Sequence, residues 1–172
     1  MTDNLEIKHW FVVRTNPRAE KKVAERFMKA KIEHYLPLHK TIKQWHDRKK
    51  RVEEPLIKGY IFVYLTDKER STIFDISGVV RYLFVHGQIA IINEKDIANL
   101  KLFCKFESIE IEKNNHDVGD EIEVISGNFI GLRGQIKETA KGSFILIHIS
   151  ALGFFASIKI NKSDIRIINS TK

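Results

Sequence analysis

The residues of this chain with the most obvious chemical uses are seven histidines, one cysteine and a glycine series, Gly127, Gly131 and Gly134. None is spaced for catalysis. The histidines are scattered, and none pairs with a cysteine or a second histidine at the spacing a metal requires on a helix. A lone cysteine, Cys104, forms neither an internal disulfide nor a zinc site. The glycine series resembles a phosphate loop but lacks the Lys-Ser/Thr pair and lies inside a strand-turn-strand pattern. It predicts a tight turn at positive φ instead. No Ser-His-Asp arrangement is proposed by any segment. These observations point to a protein that is not an enzyme, with no metal and no cofactor, working by binding.

Charge is the informative chemistry. Residues 1–58 hold 15 bases against 8 acids, a net of +7, whereas residues 59–116 come to −1 and residues 117–172 to +1. The whole excess sits in the first third, which suggests a polyanion contact made by one part of the molecule. Arg48, Lys49, Lys50 and Arg51 stand together beside Trp45 and His46, with Asp47, Glu53 and Glu54 nearby. On a protruding hairpin tip such cations would reach phosphates; a solvated loop selected for solubility is the alternative. Arg18, Lys21 and Lys22 fall where a helix begins. Cations there oppose the helix dipole by about 0.3–1 kcal/mol each, a placement an incoming phosphate would relieve.

Periodicity predicts the elements that carry these residues. Residues 9–15 (HWFVVRT) predict a strand, and Asn16-Pro17 a helix start, with Asn16 as N-cap. Val23, Phe27 and Ala30 give that helix one apolar face, to about Lys31. Residues 34–45 read as extended, 46–51 as a hairpin tip and 55–65 as the strongest strand. Within it Ile61, Val63 and Leu65 alternate with Tyr60, Phe62 and Tyr64, so both faces are apolar. Either helices cover both sides, or the aromatic side lines a groove for a partner. Thr66 and Glu69 form a capping box for a short helix ended by Gly78. Strands at 79–85 and 88–92 turn at His86-Gly87, and Asn93 caps a helix carrying Ile97, Leu100 and Cys104.

This order predicts an α+β domain over residues 1–106, an antiparallel sheet flanked by helices. Residues 107–116 read as a linker. Five short apolar runs, at 121–125, 132–137, 143–149, 154–160 and 165–168, then predict a small β-barrel domain over 117–172. Runs such as 144–149 favour strand over helix. No stretch approaches the ~18 apolar residues of a membrane span, and the polar start is no signal peptide, so the expectation is a cytoplasmic protein with no membrane partner.

Over almost its whole length the chain resembles the NusG family of transcription elongation factors. The matching stretches are HWFVVRTNPRAEKKVAERF, PLIKGYIFVYL, GVVRYL, VGDEIEVISGNFIGLRGQIKE and ISALGFFASIKI. VGDEIEVISGNFIGLRG looks like a KOW motif, following an NGN-like domain. WHDRKKRVEEPLIKGYIFV more closely resembles the specialised UpxY-type and RfaH-group paralogues than housekeeping members.

The resemblance implies an NGN-like domain that binds the clamp helices of the largest subunit of RNA polymerase and suppresses pausing or termination, with an operon-specific role. The polymerase-facing pocket would fall on Ile57, Tyr60, Phe62 and Tyr82. Contacts to upstream or non-template DNA would fall on Arg18, Lys22, Arg48, Lys49, Lys50 and Arg51. The SH3-like KOW barrel would recruit a ribosomal protein or a termination factor through Phe129 and Ile130. One departure is Ile57-Lys58, where many members carry Phe-Pro before the Gly-Tyr pair. The reading from another class is an RNA- or ribosome-binding KOW module; it predicts a basic barrel, yet residues 117–172 carry only +1.

Overall fold

The computed structural model describes residues 7–44, 49–105, 110–113, 119–127, 130–139, 142–149 and 152–170. The chain divides into two compact units, Met1–Pro37 with Ile57–Glu94, and Leu38–Leu56 with Lys95–Lys172.

In the first unit, β1 (Lys8–Thr15) leads into α1 (Glu20–Lys29). The helix starts later than the Asn16-Pro17 signal predicts. Arg18 adopts φ 61°, a left-handed turn that brings the Ala19 N–H onto the Asn16 carbonyl at 3.1 Å. Ala19 is then the N-cap, without a side-chain cap bond. Arg18 therefore stands in the turn before the helix. At the other end Lys31, at φ 59°, closes a Schellman arrangement in which the Ile32 N–H donates to Phe27 O and the Lys31 N–H to Met28 O.

The unit's sheet is completed by β2 (His34–Tyr35), β5 (Tyr60–Thr66), β6 (Val79–Tyr82) and β9 (Ile91–Ile92). Its order is β2-β5-β1-β6, with β9 also on β1. Between β6 and β9 lies a minimal hairpin, β7 (Phe84–Val85) and β8 (Gln88–Ile89), turned at His86 and Gly87, both at positive φ. The sequence reads 79–85 and 88–92 as two strands; they are broken into four. Phe11, Val13, Ile61, Val63, Leu65 and Tyr82 point to one face, where Val23, Phe27 and Ile73 cover them. Each such buried side chain contributes about 1.5–3 kcal/mol. The Thr66–Glu69 box forms as expected, Thr66 N–H donating to Glu69 Oε2 at 2.9 Å and Glu69 N–H to Thr66 Oγ1 at 3.3 Å. The helix it caps is a 3₁₀ helix, Lys68–Asp75.

In the second unit, β3 (Leu38–Gln44) and β4 (Lys49–Pro55) make a two-stranded ribbon. Pro55 thus ends β4, and the strand predicted from 55 begins only at Tyr60. α2 (Glu94–Phe103) buries Ile97, Leu100 and Phe103; Cys104, expected on that face, lies just past the helix and is half-exposed. The remaining strands are β10 (Glu110–Lys113), β11 (Glu121–Val124), β12 (Arg133–Thr139), β13 (Gly142–Ile149), β14 (Phe154–Ile160) and β15 (Ile165–Asn169). They form an antiparallel sheet in the order β10-β14-β13-β12-β11-β15. Five of the six match the predicted runs. β10 falls within the stretch read as a linker: its Ile111 and Glu112 pair Ala156 and Phe155 of β14. The core of this sheet is Ile122, Val124, Leu132, Ile145, Leu146, Ala156, Ile158 and Ile160. Gly127 and Gly131 take φ 76° and 84°, the predicted turn, but Gly134 does not. A Cβ at Gly134 would run into the Leu146 carbonyl oxygen, so that glycine admits a close strand approach.

Candidate functional site

The register of the first unit sorts the predicted polymerase-facing residues. Tyr60 pairs Arg14, Phe62 pairs Val12 and Tyr64 pairs Trp10 across β5 and β1. These residues therefore share the face opposite α1. Trp10 and Tyr64 lie with ring centroids 5.0 Å apart, and Tyr35 stacks on Phe62 at 6.4 Å. Val12 and Phe62 are fully buried and Ile57 nearly so; Tyr60 and Tyr64 stay half-exposed.

Tyr82 does not join them. It pairs Val13, so its ring lies on the α1 side of the sheet. There it meets Phe11 and Phe74 edge-on, at 5.7 and 5.8 Å. Its hydroxyl donates to the Arg70 carbonyl at 2.7 Å, and burial pushes its pKa up to about 12, against the opposing charge of Arg70. Grouping Tyr82 with Tyr60 and Phe62 in one pocket is corrected by strand parity. Tyr64 donates to Glu94 at 3.0 Å; that bond, then burial, raises its pKa.

Register also reveals what the sequence missed. Arg14 pairs Tyr60 on one side and Arg81 on the other, so Tyr60, Arg14 and Arg81 form one row. Both arginines are exposed. Around this end of the sheet, Thr15 N–H donates to Gly59 O and Asn16 N–H to Gly78 O, each at 2.9 Å. Glu20, the acid nearest Arg14 in sequence, is buried and accepts the Gly59 N–H at 2.7 Å. No periodicity could have found the row, because it joins residues from three separate strands.

Of the predicted nucleic-acid residues, Arg18 and Lys22 are exposed, Arg18 in the turn and Lys22 on the first turn of α1. Lys49, Lys50 and Arg51 lie on β4, not in a loop, and Arg48 lies outside the described residues. The register places Glu53 opposite Lys40 and Glu54 opposite His39, at the base of the ribbon. Toward its tip Lys49, Lys50 and Arg51 face Gln44, Lys43 and Ile42. Of the expected barrel partner residues, Phe129 lies outside the described residues, while Ile130 is 64% exposed.

A sequence model of NusG, transcription termination factor nusG, matches residues 8–101. The chain belongs to the NusG family. Its similarity extends beyond the matched segment. The transcription termination/antitermination protein NusG of Rickettsia conorii is 23% identical over 173 residues, covering 93% of this chain and 90% of that protein. The Rickettsia typhi NusG is 25% identical with the same coverage. In fold, the chain is similar to a Thermotoga maritima NusG structure described as showing domain interaction: TM-score 0.54 at 22% identity, over 94% of this chain and 98% of that one. The expected α+β architecture, NGN-like followed by KOW, agrees with that likeness. The chain is thus a NusG-like transcription termination/antitermination factor.

Among the described residues, no group of three or more His, Cys, Asp or Glu side chains is arranged to hold a metal ion. Among those same residues, no helix is long and apolar enough to cross a membrane.

Proposed function

We propose that this NusG-family protein binds the clamp helices of the largest subunit of RNA polymerase, in the cytoplasm, and suppresses pausing or termination on a restricted set of operons. The action is binding, not catalysis. Docking uses the Tyr60 and Phe62 face, with Ile57 at its turn; Tyr82 supports that sheet from behind. Arg18, Lys22 and Arg48, with Lys49, Lys50 and Arg51 of β4, contact upstream or non-template DNA. Residues 1–106 act as the polymerase-binding domain and 117–172 as the KOW domain, whose Phe129 and Ile130 recruit a ribosomal protein or termination factor. A factor bound across the nucleic-acid channel disfavours the open, paused enzyme by population shift.

The observation that supports docking on this face is Tyr60, a half-exposed aromatic residue on the same face as the buried Phe62 and paired with the exposed Arg14. Such rings are good anchors for a partner helix. Because Phe62 is fully buried, its truncation would cost about 3–5 kcal/mol of stability, so Tyr60→Ala is the cleaner probe. The test is capture of purified RNA polymerase by the full chain. We expect Tyr60→Ala to weaken it at least tenfold with the fold intact by circular dichroism. Undiminished capture would discard this face, and capture of ribosomes in place of polymerase would favour the RNA-binding reading.

A further inference from the structure

Arg14 and Arg81 form a cross-strand pair of like charges. Two such charges directly opposite on neighbouring strands destabilise a sheet. Neither side chain has an acidic partner among the described residues, and Glu20 is occupied by Gly59. The pair continues the regular register from Val13 and Tyr82, and the register shifts just beyond it, between Arg14 and Thr15, so that Thr15 pairs Val79 and not Val80. A bulge of this kind re-aims side chains and is characteristic of functional edges. Both guanidinium groups stand on the partner side of the sheet, in one row with Tyr60.

We infer that Arg14 and Arg81 are a carboxylate-binding pair that selects a partner helix carrying two acidic residues one turn apart. This rests on the docking reading above, and names the chemistry the partner must present. Directly opposed cross-strand residues have Cβ atoms about 4.5–5.5 Å apart. Side chains at i and i+4 on a helix lie about 5–6 Å apart, so two carboxylates there meet two guanidiniums in register. Each guanidinium offers a planar fork matching a carboxylate. Tyr60 completes an amphipathic footprint, apolar at one end of the row and cationic at the other. Phosphates of a nucleic acid are the competing anion. The pairing of Arg14 with Tyr60 sets the cations in one row with an aromatic residue, the mixed surface that suits a helix better than a phosphate backbone. The arrangement therefore trades a little intrinsic stability for partner selection.

The test compares the full chain with Arg14→Gln/Arg81→Gln, measuring affinity for purified RNA polymerase at about 50 and 300 mM salt. We expect binding weakened about ten- to a hundredfold at low salt, with most of its salt dependence gone. The melting temperature should stay the same or rise, because a repulsion has been removed; a fall would assign the pair a structural role and overturn the inference. Affinity for a fluorescent single-stranded DNA should be unchanged. Loss of DNA affinity with polymerase binding intact would give the pair to phosphates and overturn it equally. If the double variant binds polymerase normally while Tyr60→Ala does not, the carboxylate pair is wrong and the docking face stands. If neither change matters, both readings fail.

Discussion

At the residue scale, the sharpest chemistry belongs to side chains whose environment is set by partners far away in sequence. Tyr82 is such a case: its neutral hydroxyl is held by the Arg70 carbonyl, and burial raises its pKa from the ordinary 10.0 to about 12. The fold therefore favours the protonated form, and its contribution is complete below pH 10 and lost as pH rises toward 12. Followed by phenolate absorbance, one tyrosine should ionise last, and Tyr82→Phe should abolish that late phase. Losing the hydroxyl should cost about 0.5–1.5 kcal/mol in denaturant unfolding. An unchanged titration would place Tyr82 outside the core.

At the element scale, the second unit's sheet is pinned by Glu123. On β11 it accepts from Arg133 of β12 at 3.0 Å and from Arg166 of β15 at 2.5 Å, tying three neighbouring strands. Those hydrogen bonds, Arg166 first, lower its pKa from the ordinary 4.5. A depressed carboxylate stabilises at pH above 4.5, and that contribution is lost as pH falls through its folded value. Glu123→Gln should lower the melting temperature at neutral pH. The difference from the natural chain should shrink on acidification below 4.5. Equal melting curves at neutral pH would mean that solvent screens the pair completely. β10 carries the opposite lesson about elements. Residues 107–116 have no apolar run strong enough to signal a strand, but β14 offers an edge, and backbone pairing needs no particular side chains.

For the whole molecule, the charge imbalance of the sequence is carried by the Arg18 and Lys22 region of the first unit and by the β3–β4 ribbon of the second. Duplex DNA binding that neutralises about four phosphates would have a log–log salt slope of roughly −4. Replacing Arg48, Lys49, Lys50 and Arg51 with Ala should weaken that binding and make the slope shallower. Antipausing in a purified transcription assay should fall with it. DNA affinity and pausing both unchanged would return the ribbon to a solubility role.

Much of this was legible in the residues themselves. Alternation in 60–65, the Val23–Phe27 spacing, the Thr66–Glu69 box and the Gly127–Gly131 turn are local rules, and each element formed within a few residues of its signal. The absence of catalytic spacing and the location of the positive charge needed only the order of amino acids. Arg18's left-handed turn shows the limit even locally, since Asn16-Pro17 is equally a turn and a helix start. Parity and pairing came only with the assembled sheet. Tyr82 and Tyr60 look equivalent in sequence, yet the register of β6 and β5 on β1 sends them to opposite faces. Arg14 and Arg81 are unremarkable until the pairing of β6 on β1 sets them side by side. Side-chain direction in a sheet reverses at every residue, so which residues share a face is fixed only when strands distant in the chain choose their register.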